Sequence, residues 1–121
     1  MKRVLVVDDS PVILRGIKAM LEKDYEVLAA ISGTQALQIL KEERVDLILM
    51  DYEMPVLSGI ETVEKIYSNE ELKNIPVVFL TGMNRMEYVS SALKLNPKGY
   101  LLKPVERERL LSTVEEVLKG V

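Results

Sequence analysis

The sequence predicts a doubly wound α/β domain, a five-stranded parallel sheet in the order 2-1-3-4-5 with helices on both faces. Short apolar runs recur at Val4–Val7, Val27–Ile31, Leu47–Met50, Val77–Leu80 and Tyr100–Leu102, each too short for a typical helix and most rich in β-branched residues. They lack the polar alternation of a half-exposed sheet, so both sheet faces are covered, as in a parallel sheet between two helical layers. The segments between them carry apolar residues at helical spacing. No repeat, low-complexity tract or linker interrupts the pattern and the connections are short, so residues 1–121 read as one domain.

Taken in order, the first strand runs into Asp8 and Asp9, and Ser10 before Pro11 fits an N-cap with proline at the first helical position. Ile13, Ile17, Met20 and Leu21 form the stripe of that first helix. The second strand ends in Ala30, Ile31 and Ser32, and Ser32 with Gln35 matches a capping box for the second helix. The third strand stops on Asp51; Ser58 with Glu61 is another capping box, followed by the stripe Ile60, Val63 and Tyr67. After the fourth strand comes Thr81, then Asn84 with Glu87, which resembles a box with Asn as cap and opens a predicted fourth helix. The fifth strand delivers Lys103 and Pro104, and Leu110, Val114, Val117 and Leu118 mark the last helix.

In such a sheet crossovers are right-handed and ligands gather outside the carboxyl ends of the strands. Four strands bring a charged or reactive group to that edge: Asp8 and Asp9, Asp51, Thr81, and Lys103. The second strand brings none and sits naturally on the outside, which favours the order 2-1-3-4-5.

Composition removes many function classes. With no Cys there is neither a disulfide framework nor a thiolate nucleophile, and with no His the commonest acid–base group and transition-metal ligand is missing. A net charge of −3 argues against a dedicated nucleic-acid surface and toward a protein partner. The apolar runs stop far short of the roughly 20 residues that span a bilayer. The block after Lys2 and Arg3 is too short for a signal peptide and ends in acids, so a cytoplasmic location is expected.

Three carboxylates brought together repel unless a proton or cation lies between them. Oxygen ligands without Cys or His select a hard ion, and Mg²⁺ uses one or two carboxylates, keeps waters and completes its shell with phosphate oxygens. Mn²⁺ is the natural substitute. At such a site Asp51 is placed to attack phosphorus as a carboxylate nucleophile, with Mg²⁺ and Lys103 neutralising the phosphoryl oxygens and Thr81 donating its hydroxyl to one of them. Phosphoryl transfer depends mostly on positioning and charge neutralisation, which suits a site without His.

The stretches "VLVVDDS", "LILMDYEMPVLSGIE", "PVVFLTG" and "GYLLKP" resemble the receiver domain of bacterial response regulators, in the expected order and over almost the whole chain. The resemblance implies a flavodoxin-like (βα)₅ fold and a phosphoacceptor signalling domain rather than an enzyme. It implies Asp51 as phosphoacceptor, Asp9 and Asp51 as direct Mg²⁺ ligands, Asp8 as a ligand through water, and the backbone carbonyl of Glu53 as a further ligand. It implies phosphate contacts from Thr81 and Lys103, a cis bond before Pro104, and Tyr100 as the aromatic that turns inward beside Thr81. The implied partners are a sensor histidine kinase or phosphotransfer protein, and a downstream protein or output domain reading the face of helix 4, strand 5 and helix 5. A phosphorylation-dependent dimer belongs to the same picture; nucleic acid and membrane do not. Met83 and Glu53 fall where the family tunes water access to the acyl phosphate, so Met83→Ala is expected to shorten its lifetime.

Singly, these residues have ordinary explanations. Asp8 and Asp9 suit a helix start, Thr81 a turn, Lys103 a solvated charge and Tyr100 a strand. The mixed charges Glu106 to Arg109 suit a solvated helix start, and Met83 and Met86 are either packing residues or an adaptable surface. A haloacid-dehalogenase-like phosphohydrolase needs an Asp-x-Asp pair after the first strand, where this chain has adjacent Asp8 and Asp9. A flavodoxin-like cofactor binder needs a Gly-, Ser- or Thr-rich phosphate loop where this chain has "DDSPVI". A receiver-like interaction module that is never phosphorylated is the remaining alternative.

Overall fold

The structure, a computed structural model, describes residues 1–52, 54, 58–82 and 97–120. Its strands are β1 (Arg3–Val7), β2 (Glu26–Ala30), β3 (Leu47–Asp51), β4 (Val77–Thr81) and β5 (Gly99–Leu102). All pair in parallel in the order β2-β1-β3-β4-β5, as the sequence predicts. Helices α1 (Pro11–Leu21), α2 (Gly33–Glu42) and α3 (Gly59–Tyr67) follow the first three strands, and a C-terminal helix covers Arg107–Lys119. The predicted fourth helix, with Asn84, Glu87, Met83 and Met86, lies outside the described residues, as does Glu53.

Alternate side chains of the strands feed two cores, because successive residues point to opposite faces. On one face Leu5, Val7, Ile48, Met50, Val77 and Phe79 meet Ala36 and Leu40 of α2 and Val63 and Ile66 of α3. On the other Val4, Val6, Leu47, Leu49, Val78 and Leu80 meet Leu14, Ile17 and Leu21 of α1 and Leu110 and Val114 of the C-terminal helix. Every residue of β3 and β4 is buried, and β1 is buried from Val4 onward, whereas the edge strands β2 and β5 are partly exposed. The buried stripe of α1 is Leu14, Ile17 and Leu21; Ile13 and Met20 flank it, half-buried.

The caps differ in one detail from expectation. Ser10 caps α1 through the Ile13 N–H, and Ser58 and Glu61 form a full capping box on α3. Ser32 accepts from the Gln35 N–H, but the Gln35 side chain reaches the N–H of Ile31 at 2.7 Å, so the acceptor serves the residue before the cap rather than the cap itself.

At the amino ends of the strands Arg3 ties several segments together. Its N–H donates to Asp46 at 2.8 Å, Nε to Glu26 on β2 at 3.0 Å, and Nη1 to Glu43 at 2.9 Å and to the Arg44 carbonyl at 3.4 Å. No helix among the described residues is long and apolar enough to cross a membrane.

Candidate functional site

Register decides which side chains meet. Val7 lies beside Met50, which carries Asp8, one residue past β1, level with Asp51 at the end of β3. Thr81 ends β4 beside Leu102, and the Lys103 N–H continues that ladder by donating to the Thr81 carbonyl at 2.8 Å. Asp8 itself donates its N–H to Ala30 at the end of β2, at 3.1 Å. Strand ends thus converge on one edge, and Asp8, Asp9 and Asp51 each place a carboxylate oxygen within 4.8 Å of the others.

Asp8 is fully buried, Asp51 is 3% exposed and Thr81 5%, whereas Asp9 faces solvent. Burial of unpaired carboxylates is costly, and Lys103 answers part of that cost. Its Nζ lies 2.9 Å from Asp51 Oδ1, in a hydrogen bond, and 2.7 Å from Asp8 Oδ2. The second contact is an ion pair without hydrogen-bond alignment, so Asp8 Oδ2 is buried with no hydrogen-bond partner, while Asp8 Oδ1 accepts from the Ser10 N–H at 2.9 Å. Burial pulls the Lys103 pKa down, but the Asp8 and Asp51 carboxylates outweigh it and hold the ammonium above the usual lysine value. An all-oxygen donor set whose buried members already gather a cation suits a hard divalent ion.

Three features frame the cluster. The Lys103–Pro104 peptide is cis. Tyr52, next to Asp51, packs edge-on against Phe79 with ring centroids 6.0 Å apart. Tyr100 on β5 is 41% exposed. Lys103, Pro104 and Val105 also line an apolar groove of about 450 Å³ with Val12, Ile13, Gly16, Ile17 and Met20.

The structure also reveals a residue that motif reading passed over. Gly59, the first residue of α3, donates its N–H to the Tyr52 carbonyl at 3.1 Å, and a Cβ there would run into the Asp51 carbonyl oxygen. The one sequence signal was a poor helix former directly after the Ser58 cap.

Comparison with known proteins agrees with this geometry. Residues 4–115 match the family described as response regulator receiver domain. Protein PilH of Pseudomonas aeruginosa is 36% identical, covering 99% of this chain and 100% of PilH. A probable cyclic di-GMP phosphodiesterase of Vibrio cholerae is 38% identical over 97% of this chain, which spans only 26% of that longer protein. Among solved structures, the Vibrio cholerae chemotaxis protein CheY4 superposes with a TM-score of 0.91 at 34% identity, covering 97% of this chain and 98% of its own.

Proposed function

The chain belongs to the response regulator receiver domain family of two-component signalling, and we propose that residues 1–121 act as a phosphorylation-dependent switch with Asp51 as the phosphoacceptor. A receiver is a signalling domain rather than an enzyme, and it implies a kinase partner. The observation that carries the finer reading is the buried pairing of Asp51 with Lys103 inside an acidic triad at the strand ends.

In this reading an Asp51 carboxylate oxygen attacks the phosphorus of a phosphohistidine on a sensor kinase or phosphotransfer protein. The P–O bond to Asp51 forms as the P–N bond breaks, and the electron pair leaves with the imidazole nitrogen. Asp8, Asp9 and Asp51 are the residues that would hold Mg²⁺ or Mn²⁺, which supplies charge neutralisation to the phosphoryl oxygens. Lys103 turns its ammonium from the carboxylates to a phosphoryl oxygen, and Thr81 donates its hydroxyl to another. The backbone carbonyl of Glu53 is a further proposed ligand, outside the described residues. Tyr100 lies on β5, the strand paired with the one that ends in Thr81, and in this reading it responds by turning inward. A downstream protein, an output domain or a second copy would read the changed face at the predicted fourth helix, β5 and the C-terminal helix.

The test is intact mass after incubation with acetyl phosphate and Mg²⁺, beside an Asp51→Asn variant and a chelator-treated sample. One phosphoryl group on the parent alone, lost with chelator, is expected. Equal labelling of Asp51→Asn would remove Asp51 from its role. A parent that stays unlabelled by acetyl phosphate and by a panel of phosphorylated kinases would favour an interaction module that is not phosphorylated.

A further inference from the structure

We propose that Tyr52 is a positioning residue for the phosphoacceptor, anchored so that the Asp51 carboxylate is held toward Asp8 and Lys103. The inference rests on the reading of Asp51 as the acceptor, and it goes beyond that reading by naming what aims the carboxylate.

Tyr52 is held on three sides. Its N–H donates to the Leu80 carbonyl of β4 at 2.8 Å, and its carbonyl accepts from the Gly59 N–H of α3 at 3.1 Å. Its ring meets the fully buried Phe79 edge-on, with 65° between the ring planes, and packs against the core beneath α2 and α3. The two peptide groups that follow Asp51 are therefore tied, one to a strand and the other to a helix.

Alternation turns this hold into an aim. Met50 and Tyr52 belong to the core beneath α2 and α3, whereas Leu49 belongs to the core beneath α1 and the C-terminal helix. Successive strand residues point to opposite faces, so an anchored Tyr52 sends Asp51 to the face of Leu49. Val6 and Leu101 put Asp8 and Lys103 on that same face, and the Lys103 ammonium meets both acids there. Attack on phosphorus needs the acceptor oxygen in place when the donor arrives, and a misplacement of about 1 Å costs about 100-fold in rate. The contact with Phe79 is made by the ring rather than the hydroxyl, so phenylalanine is an adequate replacement and a small side chain is not.

The test is the initial rate of phosphoryl uptake on the full chain, read by intact mass at saturating Mg²⁺. The donor is acetyl phosphate, or the phosphorylated kinase that labels the parent. Each protein is first shown by circular dichroism to be folded at the assay temperature. Tyr52→Ala is expected to slow uptake by about tenfold, and Tyr52→Phe to stay near the parent. Val114→Ala, a cavity in the C-terminal helix on the opposite face of the sheet, is expected to lower the melting temperature and leave the rate unchanged, which separates aim from stability. Should Tyr52→Ala fail to fold, Tyr52→Leu carries the same comparison. Uptake by the folded Tyr52 variant at the parent's rate, or Tyr52→Phe as slow as Tyr52→Ala, overturns the inference and leaves Asp51 as acceptor. A parent that no donor labels overturns the reading of Asp51, and this inference with it.

Discussion

Replacing Gly59 by alanine measures how closely the start of α3 presses on the end of β3. The added Cβ would collide with the Asp51 carbonyl oxygen and lie 3.0 Å from both the Asp51 carbonyl carbon and the Tyr52 Cα. All three are backbone atoms of the strand end, so no side chain is free to swing aside. Optimal carbon contacts fall at about 3.5–4.0 Å, and relief therefore demands a movement of about 0.5 Å or more in α3 or in the backbone that carries Asp51. Overpacking of this kind costs about 1–3 kcal/mol, or about 4–12 °C in melting temperature for a domain of this size. Gly16 is the matched control, since it lies inside α1 and an added Cβ there meets nothing within 4 Å. Gly16→Ala is expected to stabilise by about 0.5–1 kcal/mol through helix propensity. Thermal melts followed by circular dichroism, with phosphoryl uptake at Asp51 measured on the folded variants, report both effects. A Gly59→Ala protein that melts at or above the parent, while Gly16→Ala rises as expected, would refute the close approach.

Other outcomes follow from the same structure. Ser58→Ala removes one half of the capping box on α3 and is expected to cost about 1 kcal/mol in urea denaturation; an unchanged midpoint would mean that the box contributes nothing. Burial raises the Tyr67 phenol above its ordinary value of 10.0, so the folded protein holds that proton more tightly than the unfolded chain. Its contribution is fully present below the unfolded pKa and is lost as pH rises through the raised folded value. Tyr67→Phe should therefore lose less stability than the parent as pH climbs above 10.0, and parallel stability curves for the two proteins would contradict that.

Much of the architecture is legible in the chain because parallel strands buried on both faces leave a plain signal. Leu47 to Met50 and Val77 to Leu80 are uninterrupted and prove wholly buried. The convergence of the site residues is legible for the same reason, since each strand has a fixed carboxyl end and whatever follows it must lie along one edge, as Asp8, Asp51, Thr81 and Lys103 do. What escaped depends on distances that no single segment encodes. Gly59 reads locally as a weak helix start, and its meaning comes from the strand end against which it is pressed. Ile13 suits the helical spacing as well as Leu14 does, and only the orientation of α1 on the sheet makes Leu14 the buried one. The spacing of Ser32 and Gln35 suits a capping box, but the Gln35 amide oxygen accepts from Ile31 instead, a choice between neighbouring donors that composition leaves open.

The Arg3 network has a bearing on the acidic site at the opposite end of the sheet. Exposed ion pairs contribute little to stability, and the side chains of Arg3, Glu26 and Glu43 are 33%, 49% and 47% exposed. Their value lies in discrimination between alignments. A slide of one residue along a strand moves the chain by about 3.3 Å and turns every side chain to the other face. Such a slide of β1 would separate Arg3 at once from Glu26 on β2, from Glu43 and Arg44 at the end of α2, and from Asp46 ahead of β3. A surface arginine thereby acts as an alignment pin, and the meeting of Asp8 with Asp51 five residues further along is calibrated from the far end of the molecule.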